Sequence, residues 1–235
     1  MMNIECLSLS AIGKGEVVLM LITDLHNHTA YSYDGTDSPE DIIKNAVRYS
    51  LDAVGISDHQ FSLGGRFEEY VREIYSLKEK YADKINVLCG LEIGTRPKPN
   101  DFLASNSEVL DYCMFESLDS LSAMDFYEFL EWSKLFKCPI GFAHTDVFAL
   151  SERYGLDVLK LMKERNIFWE LNLSGNYNYY YDFLTNQKKQ KAVLESGVFV
   201  SIGTDTHNLA DFDIEKLRRI TAFCDNLGLK SVFGE

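Results

Sequence analysis

The sequence predicts an α/β fold of about seven strand-then-helix units on a parallel sheet, closed or doubly wound. Three observations predict it. Short β-rich runs alternate with longer amphipathic runs along most of the 235 residues. No sequence repeat or low-complexity linker divides the chain. The Gly-x-Gly-x-x-Gly and P-loop patterns are absent, which makes a nucleotide-binding open sheet the weaker choice.

The first strand reads as Leu21–Leu25. A helix follows at Ser38-Pro-Glu-Asp41, with Ser38 as N-cap, Pro39 at the first helical position and Asp41 closing a capping box. Ile42, Ile43, Ala46 and Val47 give that helix one apolar face. Ala53–Ser57 is the second strand, and a charged amphipathic helix follows from about Arg66 to Tyr81. Ile85–Leu91 is the third strand, and Tyr112–Phe115 the fourth, after a poorly patterned stretch containing Pro97 and Pro99. A helix near Met124–Phe136 leads to the fifth strand, Ile140–Ala143. The last pairs are a helix at Ser151–Arg165 with a strand at Ile167–Leu171, and a helix at Asp182–Ser196 with a strand at Val198–Ile202. A helix from Ile214 to Leu227, ended by Gly228, closes the pattern. Regular patterning begins near Met20, so residues 1–19 read as an extension and 20–235 as one working domain.

The formal net charge is −13, which argues against general nucleic-acid binding. A small anionic substrate remains compatible, because bound cations dominate the field near a site. The five cysteines form no C-x-x-C pair and read as mostly buried free thiols in a reducing compartment. No apolar run reaches transmembrane length, and Val17–Ile22 is too short and lacks the flanks of a signal peptide. A cytoplasmic location is the expectation.

The metal-seeking residues follow one rule. His26 and His28, Asp58 and His59, Glu92, Glu116 and Asp119, His144 and Asp146, Glu170 and Asn172, and Asp205 and His207 all fall at the carboxyl ends of successive strands. In a parallel barrel those ends meet on one face, which carries the active site. Imidazole with carboxylate suits zinc, manganese or iron. The two-residue spacing of His26-x-His28 and of Asp205-x-His207 lets each pair face one ion. Several carboxylates among five histidines point to more than one metal.

Asp24-Leu-His-Asn-His-Thr, Tyr33-Asp34-Gly35, Ser38-Pro-Glu and Leu51-Asp-Ala-Val-Gly-Ile-Ser-Asp-His59 resemble the opening of the PHP (polymerase and histidinol phosphatase) superfamily. Gly90-Leu-Glu92-Ile, Gly141-Phe-Ala-His144 and Gly203-Thr-Asp205-Thr-His207 extend the resemblance to His207. The resemblance implies a distorted (β/α)7 TIM-like barrel with two or three divalent ions (Zn, Mn or Fe). By position, His26, His28, Glu92 and Asp205 would hold one ion. Glu92 would bridge to a second, with His144. His59 and His207 would hold a third, with Asp34. Asp58 would orient a ligand histidine. The family's histidine after strand four is missing from Tyr112-Cys-Met-Phe-Glu116-Ser-Leu-Asp119, so Glu116 or Asp119 replaces it or the place stays open. The stretch Phe67–Ile93 is similar to the histidinol phosphatase branch.

The implied reaction is hydrolysis of a small phosphomonoester by metal-activated water. Asp58, Asp205 and His207 are the candidates for moving protons. Arg66, Arg96, Lys98 and Arg153 lie in or near loops after strands, and Arg96, Arg153 and Asn172 are the candidate substrate-binding residues. The loop Ser174–Tyr181 overlooks the expected site, and its tyrosines either line a pocket for a ring-bearing substrate or pack the loop onto the barrel. Two alternatives stand beside the phosphatase: a phosphodiesterase or exonuclease, and a degenerate metal-binding barrel without catalysis.

Overall fold

The computed structural model describes residues 20–96 and 101–233. The expected extension at 1–19, Cys6 and Lys98 lie outside the described residues. In chain order the elements are β1 (Thr23–Asp24), α1 (Pro39–Arg48), β2 (Ala53–Ile56), α2 (Gln60–Leu63), α3 (Phe67–Lys80), β3 (Asn86–Cys89) and β4 (Glu92–Ile93). There follow α4 (Asp101–Ser105), β5 (Cys113–Glu116), α5 (Phe126–Trp132), β6 (Ile140–Ala143), α6 (Val147–Tyr154), α7 (Val158–Glu164) and β7 (Ile167–Asn172). The chain ends with α8 (Asn178–Thr185), α9 (Gln187–Ser196), β8 (Phe199–Gly203), α10 (Ile214–Leu227) and β9 (Lys230–Ser231).

All strand pairs are parallel, in a sheet ordered β1-β2-β3 and a second ordered β4-β5-β6-β7-β8-β9. Hydrogen bonds cross between the sheets at two places. Leu25 N–H donates to Ile202 O beside β1 and β8, and Glu92 N–H donates to Asp58 O beyond β2. The expected third strand is therefore two short ones. β3 pairs with β2 and β4 with β5, and the chain bends between them at Gly90. A Cβ at Gly90 would lie 2.2 Å from the Tyr112 ring, so only glycine allows that approach. The Tyr70 hydroxyl, from α3, reaches Ile56 O at 3.0 Å and Gly90 O at 2.8 Å and ties down the bend.

Two expected helices are also divided. Gly155, at φ +63°, ends α6, and the Asp157 side chain caps α7 by accepting from Lys160 N–H. Asn186 caps α9 through Lys189 N–H and so separates it from α8. Ser38 caps α1 as expected, accepting from Asp41 N–H, while the Asp41 carboxylate accepts from the Ser38 hydroxyl in place of the N–H that a capping box would use. The four described cysteines are free thiols, three of them buried.

Residue alternation on the strands sorts the core into two faces. On β7, Ile167, Trp169 and Leu171 join the large cluster under the helices. Phe168 joins a smaller cluster with Leu25, Leu88, Tyr112, Met114 and Ala143. Glu170 and Asn172 continue Phe168's face toward the strand's carboxyl end. That inner face is thus apolar low on the strand and polar at its end.

Replacing Gly90 by Ala is expected to lower the unfolding free energy by about 1–3 kcal/mol, because the new methyl overlaps the buried Tyr112 ring. Urea denaturation of the variant measures this.

Candidate metal centre

The carboxyl ends of the strands bring all five histidines together. His26, His28 and His144 are nearly or fully buried, His59 is buried at the rim, and His207 is about one third exposed. Glu92 Oε1 lies 3.3 Å from His26 Nε2 and 3.3 Å from His144 Nε2. Glu92 Oε2 lies 3.4 Å from His28 Nε2. Asp205 Oδ1 is 3.3 Å from His28 Nε2 and 3.6 Å from His26 Nε2, while Oδ2 is 3.3 Å from His144 Nε2. His26 Nε2 and His28 Nε2 are 3.0 Å apart. Nitrogen donors about 2.0–2.1 Å from one tetrahedral ion stand roughly 3.3 Å from each other, so these separations fit a shared cation.

A second face of the cluster is more open. Asp34 Oδ2 lies 3.5 Å from His59 Nε2 and 3.4 Å from His207 Nε2. Four groupings have ligand atoms within 4.8 Å of one another: His28/Asp34/His59/His207, His26/His144/Asp205, His26/His28/Glu92 and His59/Glu92/Glu116. Spacing alone allows Asp205 and His207 to share an ion, but they fall in different groupings. Asp205 is left-handed, at φ +58°, which breaks the extended alternation that such sharing assumes.

The donor atoms carry the fit to a cation. Among the described residues, Glu92 Oε1 and Oε2, Asp205 Oδ1, Asp34 Oδ1, His59 Nδ1 and His144 Nε2 are buried without a hydrogen-bond partner. His59 Nδ1 lies 2.7 Å from Glu92 Oε2 yet lacks hydrogen-bond geometry. Orphaned buried polar atoms are costly and scarce in folded proteins. Asp34, Glu92, Glu116, Glu170 and Asp205 bring five carboxylates to five imidazoles, a charge that two or three divalent ions would balance to within one unit.

Four of the five imidazoles are held in a common sense, His59 being the exception. His26 Nδ1 bonds Glu170 Oε1 at 2.6 Å, and His28 Nδ1 bonds Ser32 Oγ at 3.1 Å. His144 Nδ1 bonds the Tyr177 hydroxyl, and His207 Nδ1 bonds Asp205 O, each at 2.9 Å. With Nδ1 engaged, the Nε2 atom of each ring faces the cluster. Without a cation, charge is balanced by protons. Burial drives Glu92 and Asp205 up, but His26 and His144 outweigh it and hold both carboxyls well below the usual range. Burial draws His144 down, yet Glu92 and Asp205 lift it to about 9. Burial lowers His28.

Several expected site residues have other partners. Asp58 touches no histidine. Its oxygens accept from Thr29 and Ser32, and Ser32 Oγ in turn meets His28, so the expected contact is a relay through Ser32. Asn172 does not present free groups to a substrate. Its amide donates to Glu170 Oε2 and Asp205 Oδ2, and its oxygen accepts from Ser174 N–H. The Arg153 guanidinium is tied to Ser120 O and Asp119 O, bracing the loop after β5. Arg66 bonds Tyr31 O and Ser62 O. Arg96 is exposed, and its charge acts on Glu116. Of Glu116 and Asp119, only Glu116 joins a ligand grouping. In the tyrosine loop, Tyr179 and Tyr180 are buried as packing, while Tyr177 stacks on His144.

Two residues have positioning roles that the sequence did not assign: Glu170, singled out there only as metal-seeking, and Asp24. Fully buried Glu170, on β7, bonds His26 Nδ1, the His144 N–H at 3.1 Å and Asn172, tying groups that follow β1 and β6 to β7. Gly203 makes room for it, since a Cβ there would lie 2.3 Å from Glu170 Oε1. Asp24 accepts from the Thr204 N–H and hydroxyl across β1 and β8, and burial lifts its carboxyl to about 6. The signal for Glu170 was a carboxylate sharing a strand face with Asn172 at a strand end.

The PHP domain family matches residues 24–196, nearly three quarters of the chain. The chain belongs to the PHP family. A histidinol-phosphatase of Lactococcus lactis is 23% identical over 231 residues, covering 78% of this chain and 83% of that protein. An error-prone DNA polymerase of Nocardia farcinica is 42% identical over 52 residues, which is 4% of the polymerase. The crystal structure of histidinol phosphate phosphatase from Lactococcus lactis, in complex with zinc, L-histidinol and phosphate, superposes with a TM-score of 0.59 at 17% identity. It covers 91% of this chain and 96% of that one. A Listeria monocytogenes structure named for histidinol phosphatase also gives 0.59, at 18% identity, covering 82% of this chain and 97% of that one. The parallel sheets are those typical of PHP barrels, in a hydrolase fold homologous to histidinol-phosphatase.

Replacing Glu170 by Gln is expected to weaken metal binding about 10- to 100-fold while leaving the far-ultraviolet dichroism unchanged, as a competition titration would read. Chelation is expected to lower the melting temperature, and manganese to restore it. Saturation at 100 times Kd contributes about 2.7 kcal/mol.

Proposed function

We propose that this protein is a metal-dependent phosphatase that hydrolyses a small-molecule phosphomonoester. The observation that carries the reading is the set of orphaned donor atoms on Glu92, Asp205, His144, His59 and Asp34. The homology to a histidinol-phosphatase, and a solved relative complexed with zinc and phosphate, support a phosphate ester as substrate. The net charge of −13 disfavours a polyanionic substrate. We also read β1 to β8 as one distorted seven-stranded barrel, with β3 and β4 counted as one bent strand; the hydrogen bonds joining β1 to β8 support this.

In this reading His26, His28, Glu92 and Asp205 hold one ion. Glu92, His144 and Asp205 would hold a second, and Glu116, which groups with His59 and Glu92, stands nearest the place of the family's strand-four histidine. His59, His207 and Asp34 hold a third. Zinc, manganese and iron all suit such donors. Divalent ions there would supply Lewis acidity to the phosphoryl oxygens and acidify water for attack.

The chain's own residues do the rest. Glu170, Ser32 and Tyr177 keep the imidazoles turned with Nε2 inward. Asn172 holds Asp205 Oδ2, leaving Oδ1 toward the reacting centre. Asp34 and His207 are the most exposed members and form the entrance for an ester. Of the three candidates for moving protons, Asp58 is set aside by its bonds to Thr29 and Ser32, which leaves Asp205 and His207 beside the open face. Arg96, exposed and acting on Glu116, is the cation this reading assigns to the phosphate.

The test is turnover of p-nitrophenyl phosphate and bis-p-nitrophenyl phosphate with manganese or zinc, alongside measured metal content. Monoester hydrolysis that falls at least about 100-fold in His28→Ala is the expected result. Diester turnover alone would replace this reading with a phosphodiesterase, and full metal occupancy with no turnover would replace it with a non-catalytic barrel.

A further inference from the structure

The rim of the metal centre carries two large rings that the metal site does not use. Tyr33 is 75% exposed and Phe61 is 54% exposed. Both lie against His59, with ring centroids 5.6 and 4.8 Å away and planes inclined by only 22° and 21°. They also touch each other at 5.7 Å. Single exposed apolar residues are ordinary, but two adjoining rings stacked on a histidine that faces a metal centre are a surface awaiting a partner.

We propose that Tyr33 and Phe61 form an aromatic platform that selects phosphate esters whose leaving group carries a planar ring. The proposal rests on the phosphoester reading and deepens it by naming the substrate class. Continuity with the site carries it. Tyr33 precedes Asp34, whose carboxylate faces His59 and His207 at the open end of the cluster. An ester whose phosphate sits among these groups places its leaving group within one ring's reach of the platform. On the other side, a Cβ at Gly94 would lie 3.2 Å from Glu116 Oε1 and 3.7 Å from Phe61 Cδ1, so Phe61 also borders the carboxylate nearest the place of the family's strand-four histidine.

The platform is held in place before any ligand arrives. Tyr33 N–H donates to Ser62 Oγ at 3.3 Å, joining the Tyr33 loop to α2. The Arg66 guanidinium bonds both Tyr31 O and Ser62 O, at 3.2 Å each, and lies over the Tyr31 ring. With the backbone anchored and the two rings already packed on His59 and on each other, less freedom is lost on stacking. Tyrosine and phenylalanine faces favour an offset planar partner over an alkyl chain of equal size.

Binding of benzylphosphonate and ethylphosphonate to the manganese-loaded protein, by titration calorimetry, tests this without turnover. The aromatic compound is expected to bind about tenfold tighter to the native protein. That ratio should fall to near one in Tyr33→Ala/Phe61→Ala and persist in Tyr33→Phe. Equal affinities in the native protein, or an unchanged ratio in the double variant, would overturn the platform alone. Failure of both phosphonates to bind would overturn the phosphoester reading, and the platform with it.

Discussion

Two buried carboxylates, Glu92 and Asp205, set the terms for the whole molecule. Neither tolerates an apolar interior unpaired, because an ion taken from water must find opposite charge nearby. Each faces imidazoles from more than one strand. The strands must therefore converge, and they do so by being parallel with their carboxyl ends on one side. Burying these groups is stable only with compensating positive charge, from protons on His26 and His144 or from metal.

The polypeptide accepts local strain to achieve this convergence. His144 and Asp205 follow β6 and β8 in the left-handed backbone region, at φ +48° and +58°. Such residues cost of order 1–3 kcal/mol each and persist where surroundings over-determine them. The surroundings here are specific. Glu170 holds the His144 N–H, and His26 O accepts from the Asp205 N–H. Below them, Tyr112 and Phe168 fill the inner face, so the donor atoms stand on a packed floor.

The histidine set was legible because residue type and strand position agreed at every one of five places. The short runs at Ala53–Ile56 and Ile140–Ala143 were legible because buried parallel strands are continuously apolar. The break at Gly90 was not, since Ile85–Leu91 is apolar on both sides of it. The divided helices escaped for a similar reason: apolar periodicity runs across Gly155 and Asn186, and only their caps mark the breaks. Arg153 and Asn172 show the limit of position as a guide. Strand-end position suggested a substrate contact for both, but backbone carbonyls claim one and the Glu170 and Asp205 carboxylates the other. Glu170 stood out by type and position, but its role was hidden because its partners lie 26 and 144 residues away.

Exposure across the cluster is uneven: Glu92 and His26 are wholly enclosed, while Asp34 and His207 stand about 30% open. This gradient has a kinetic meaning. An ion held by the enclosed donors could leave only if β-strand ends separated, so its exchange would follow the slow opening of the fold. An ion held by Asp34 and His207 would exchange with solvent directly. One centre would thus combine a slowly exchanging ion with a labile one.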